Sequence, residues 1–80
     1  MGKKDLPLDS GQRISDIFVK SFGWTCVYGK NHFVLTHPEK SPNLFLSIPD
    51  HKQVDRNLLR TELRKAEISI EDFCNAYKGR

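Results

Sequence analysis

The stretch Trp24-Thr25-Cys26-Val27-Tyr28-Gly29-Lys30-Asn31-His32-Phe33-Val34-Leu35-Thr36-His37 reads as a β-hairpin. Two runs of aromatic and β-branched residues flank a short turn, Gly29-Lys30-Asn31. Downstream, Pro38-Glu39-Lys40-Ser41-Pro42-Asn43 carries two prolines and reads as a loop. Leu44-Phe45-Leu46-Ser47-Ile48 is then a third strand, ended by Pro49. The expectation is a three-stranded antiparallel meander. Alternation assigns its faces. Trp24, Cys26, Tyr28, Phe33, Leu35, Leu44, Leu46 and Ile48 turn inward. Thr25, Val27, His32, Val34, Thr36, Phe45 and Ser47 turn outward, with Val34 and Phe45 as a small apolar patch.

Helical patterns flank the meander. Ile14, Ile17, Phe18 and Phe22 fall at i, i+3, i+4 and i+8, one face of a helix. Ser10 is its N-cap and Gly23 its stop. After the polar connection Asp50-His51-Lys52-Gln53-Val54, Asp55 caps a second helix with an apolar stripe of Leu59, Leu63 and Ala66. Ser69, with Asp72 three residues on, opens a short third helix that turns Phe73, Cys74 and Tyr77 to the core. The order is that of an α+β fold with helices on one sheet face.

The chain has 80 residues, enough for one domain with a thin core. Residues 1–9 are expected to be a flexible arm and residues 10–80 a single domain. A large enclosed substrate cavity would consume such a core, so any active site is expected at the surface. No run approaches the ~18 to 20 apolar residues of a membrane span, and the start of the chain is polar with no signal-peptide pattern. The expectation is a soluble, cytoplasmic protein. Cys26 and Cys74 form no C-x-x-C and have no histidine at zinc spacing, so two reduced thiols are expected. The three histidines sit at no recognised ligand spacing. No metal site and no cofactor are expected, and no nucleophile motif, Walker loop or dinucleotide fingerprint is present.

Thirteen Lys and Arg against ten Asp and Glu give a net charge of +3, which permits a polyanionic partner without requiring one. Lys52, Arg56, Arg60 and Arg64 recur every fourth residue, so on a helix they make one basic row. Guanidinium forks suit consecutive phosphates. The plainer alternative is a solvated helix face balanced by Glu62 and Glu67. His32 opens the second strand beside Lys30. A histidine there can move protons near neutral pH, and Lys30 can hold a phosphate next to it. His51 lies in the connection before the basic helix and is a candidate second acid or base. His37 is an ordinary loop-edge residue.

The residues quoted resemble a family. Ser10-Gly11-Gln12-Arg13-Ile14 through Gly23-Trp24, Asn31-His32-Phe33, Ile48-Pro49-Asp50-His51, and Leu59-Arg60 through Ser69, then Glu71-Asp72-Phe73, are similar in order and spacing to segments of the HicA toxins. These are also called YcfA-like mRNA interferases. The resemblance covers about residues 10–77. It implies a fold like that of a double-stranded-RNA-binding domain, α-β-β-β-α. It further implies an endoribonuclease that cuts mRNA and blocks translation, with His32 as catalytic residue and a HicB-type antitoxin as partner. A domain of the same fold that binds RNA without cutting it is the alternative.

Overall fold

The computed structural model describes residues 6–39 and 44–79. Its elements are α1 (Gly11–Phe22), β1 (Thr25–Gly29), β2 (His32–Thr36), β3 (Phe45–Pro49), α2 (Arg56–Ala66) and α3 (Ile70–Lys78). The fold is α+β. β2 is central, and both pairings are antiparallel.

The helix ends follow from local chemistry. The Ser10 hydroxyl accepts the Arg13 N–H at 3.1 Å, Asp55 Oδ2 accepts the Leu58 N–H at 3.0 Å, and the Ser69 hydroxyl accepts the Asp72 N–H at 3.0 Å. Each supplies an acceptor for a first-turn N–H that has no carbonyl within its helix. Gly23 ends α1 at φ 77°, a left-handed conformation that costs glycine little. Glu67 ends α2 in the same region, at φ 62°.

α1 packs across the sheet and α2 against β3. Ile14, Ile17, Phe18, Leu35, Leu46, Ile48, Leu59, Leu63 and Phe73 are fully buried between them. Phe18 is the hub of an aromatic cluster, edge-on to Trp24 at 6.0 Å and tilted against Phe73 at 5.5 Å. Burial of each such side chain contributes about 1.5 to 3 kcal/mol, which a core this small needs.

The flexible arm expected over residues 1–9 is corrected for its second half; residues 1–5 lie outside the described residues. Leu6 is buried in the core. Its carbonyl accepts Arg56 Nε at 2.7 Å, the Asp9 carbonyl accepts the Val54 N–H at 2.9 Å, and Asp9 Oδ2 accepts the Tyr77 hydroxyl at 2.7 Å. The short Leu6-Pro7-Leu8 segment shows no helical or strand periodicity, so the burial of Leu6 is a tertiary event.

Glu62, expected at a solvated face, is also buried. Its Oε1 accepts the Ser47 N–H of β3 at 3.1 Å and pairs with Lys65 at 3.2 Å.

Candidate active site at the hairpin end

β1 and β2 are joined by the two residues Lys30 and Asn31. Asn31 takes φ 58°, which a short polar side chain tolerates better than most. This turn carries the Lys30 carbonyl back to the His32 ring, 2.6 Å from Nδ1. A carbonyl oxygen only accepts, so Nδ1 carries the hydrogen and donates it. In the neutral ring, Nε2 is then the nitrogen without a hydrogen. The ring leans over Gly29, its cross-strand partner: Cε1 and Nε2 lie 3.6 Å from where a Gly29 side chain would begin. A side chain at Gly29 would begin in van der Waals contact with that edge of the ring.

The turn is clamped from the other side. The Asp50 N–H donates to the Asn31 carbonyl at 3.0 Å, and the Tyr28 hydroxyl donates to Asp50 Oδ2 at 2.8 Å. The Asp50 carboxylate pushes the Tyr28 phenol above its usual value of 10.0. Tyr28 is a correction to the inward set. It is an exposed residue at 56%, with its ring edge-on to Phe33 at 5.0 Å. At the end of the sheet the helices no longer cover it, and the loop after β3 supplies the partner for its hydroxyl. Alternation cannot reveal that loop contact, and sequence reasoning missed Tyr28 and Asp50 as a pair.

The other residues read as candidates are dispersed. Lys30 is exposed at the turn beside His32. His51 lines a groove of about 320 Å³ with Leu8, Gln53, Val54, Asp55 and Arg56, among which His32 does not figure. The basic row does not hold together. Lys52 precedes α2 and lies in the connection, because Asp55 starts the helix. Arg56 is half-buried and committed to the Leu6 carbonyl. Arg60 donates to Asn57 Oδ1 at 2.9 Å, and Arg64 is exposed. At ~100° per residue, Arg60 and Arg64 lie on the flank of α2 away from Glu62, hence away from the β3 edge that Glu62 meets. His32 points from the opposite face of the sheet.

His37 stacks edge-on to Trp24 at 5.2 Å, and its Nδ1 accepts the Glu39 N–H at 3.2 Å, which makes it a packing residue. Among the described residues no cluster of His, Cys, Asp and Glu is arranged to hold a metal ion. The larger cavity, about 470 Å³, lies under the sheet between α1 and the inward residues Cys26 and Phe33. It is on the other side of the sheet from His32. Burial pushes the Cys26 thiol up from 9.0, which disfavours the reactive thiolate. Among the described residues no helix is long and apolar enough to cross a membrane.

No protein-family model matches the chain, and searches of curated proteins and of solved structures find no match either.

Proposed function

We propose that this chain is an endoribonuclease of the HicA toxin type, with a fold like a double-stranded-RNA-binding domain. It cuts mRNA in the cytoplasm by metal-independent acid–base catalysis and is silenced by a HicB-type antitoxin. The observation that carries this reading is the His32 geometry: Nδ1–H fixed on the Lys30 carbonyl, and Nε2 on the other edge of the half-exposed ring, over Gly29. That arrangement suits a general base.

In this reading His32 Nε2 takes the proton of a ribose 2′-hydroxyl. The 2′-oxygen attacks the adjacent phosphorus, and the bond to the 5′-oxygen breaks. The departing oxygen takes back the proton from the imidazolium. The products are a 2′,3′-cyclic phosphate and a 5′-hydroxyl end. Lys30 neutralises charge gathering on the phosphorane. Asp50 and Tyr28 act as positioning residues that hold the turn.

The test is RNA cleavage by wild type and His32→Ala, each checked for folding, with and without EDTA. Positioned proton transfer is worth about 10²–10⁴-fold. Cleavage that survives EDTA, ends in a cyclic phosphate and falls by that factor in the variant is expected. A 5′-phosphate product with EDTA inhibition would overturn the mechanism. Equal cleavage by both proteins would remove His32 from it.

A second reading is a domain that binds RNA without cutting. It is favoured by the separation of Arg60 and Arg64 from His32, since a phosphate backbone held on α2 would not bring a ribose to Nε2. Wild-type binding without cleavage would select it.

A further inference from the structure

The outer face of the sheet is made of three rows of three: Gly29-His32-Pro49, Val27-Val34-Ser47 and Thr25-Thr36-Phe45. The helices cover most of the inner face, leaving Tyr28 exposed at its end, and the outer face keeps Val27 64% and Phe45 56% exposed. These are two of the largest exposed apolar surfaces among the described residues. They do not stand in a random setting. None of the nine positions carries a carboxylate, in a chain with ten acidic residues. Of the acidic residues nearest in sequence, Glu39 lies three residues past Thr36 and is exposed, and Asp50, one residue past Pro49, accepts the Tyr28 hydroxyl. The face is therefore neutral and partly apolar, with His32 at one end, Lys30 at the turn beyond it and Phe45 at the other end.

Resting on the ribonuclease reading, we infer that this face is the substrate platform, and that it takes an unpaired RNA strand with a base stacked on Phe45. Phe45 stands four residues before Pro49, the partner of His32, so their rows lie about 13 Å apart along the sheet. A strand of unstacked nucleotides covers that distance in a few steps. Every base has a π-face, so a lone exposed ring anchors a strand with little sequence preference. A carboxylate-free surface suits the phosphates between the two anchors. A duplex does not fit this arrangement, because its bases are stacked on one another and its ring faces are hidden. Single-strand recognition would then come from the sheet, and the arginines of α2 would contribute little to it. Phe45 is on this account a positioning residue: it fixes which phosphate reaches His32.

The experiment uses wild type, Phe45→Ala and Phe45→Trp. The binding probe is a short unstructured 2′-O-methyl RNA with 2-aminopurine at one position. It lacks the 2′-hydroxyl nucleophile and so cannot be cut. The same sequence annealed to its complement is the duplex control. Phe45 is exposed, so all three proteins are expected to fold, and circular dichroism checks this. Stacking of one base is worth roughly 5- to 150-fold in affinity. Phe45→Ala is expected to weaken single-strand binding by a factor in that range, to abolish 2-aminopurine quenching and to raise the KM for cleavage with little change in kcat. Phe45→Trp is expected to retain all three. The duplex is expected to bind at least tenfold more weakly than the single strand.

Equal single-strand affinity of wild type and Phe45→Ala would overturn the platform, as would tighter binding of the duplex. If RNA is still cut in a His32-dependent way in either case, only the platform has failed. If wild type neither binds nor cuts RNA, the ribonuclease reading has failed with it.

Discussion

Glu62 reaches from α2 to the free edge of β3 and accepts the Ser47 N–H at 3.1 Å. A sheet edge presents unpaired N–H groups that can recruit another strand. Here a side chain from the helical layer satisfies one of them, and Lys65 at 3.2 Å balances the buried charge. Glu62→Leu would leave the N–H without its partner, a loss of about 1 to 3 kcal/mol. Glu62→Gln keeps an acceptor and should lie much closer to wild type. Chemical denaturation of the two variants separates the hydrogen bond from simple packing, and a Leu variant as stable as Gln would contradict this role.

Gly11 is a second close approach. Its N–H donates to the His51 carbonyl at 2.9 Å, and an added Cβ would sit 2.0 Å from the Pro49 carbonyl oxygen. Neither backbone can give way without moving α1 off the end of β3. Gly11→Ala is expected to lose about 3 kcal/mol, at the upper end of overpacking costs. The loop carrying Asp50 should loosen with it. Thermal melts measure the first effect, and exchange of the Asp50 amide measures the second.

Glu67 holds φ 62° at the end of α2. A side chain in the left-handed region costs roughly 1 to 2 kcal/mol, and glycine avoids most of that. Glu67→Gly should therefore raise stability by about 0.5 to 1 kcal/mol once the extra freedom of the unfolded glycine is subtracted. A lower melting temperature than wild type would show that the glutamate side chain matters more than the backbone.

Asp9 and Tyr77 tie the start of the described chain to α3 at 2.7 Å. The Tyr77 hydroxyl, the Ser10 N–H and Arg13 hold the Asp9 carboxyl below its usual 3.8. A lowered value means the carboxylate form is favoured by folding. Its contribution is present above pH 3.8 and is lost as the pH falls through the folded value. Asp9 in turn pushes Tyr77 above 10.0, so the donor's contribution is present below pH 10 and fades as the phenol ionises. Tyr77→Phe should cost about 1 kcal/mol near neutral pH, with the gap to wild type narrowing in acid. Melting temperatures across pH would show a constant gap if the bond did not matter.

Much of the fold was legible before any coordinates. Ser10, Asp55 and Ser69 cap the helices they were expected to cap, because a cap needs only its own first turn. The meander follows from period-two alternation around a turn, and the helical faces from period 3.6. Strand bounds shift by one residue, with β3 running on through Pro49, since an edge strand tolerates a proline. At the site, the position of His32 on the outer face was readable from alternation.

What sequence could not supply lies between segments distant along the chain. The burial of Leu6 depends on Arg56 and Val54, and that of Glu62 on an N–H of β3. The basic row looked continuous because residues every fourth position share a helix face, but Asp55 starts the helix after Lys52 and Leu6 claims Arg56. The proton on His32 Nδ1 was likewise set by a carbonyl whose direction depends on the clamped turn. Local propensity and periodicity act over a few residues and are written in sequence order. Hydrogen-bond partners and burial of single polar or apolar residues are settled only when packing brings remote segments together.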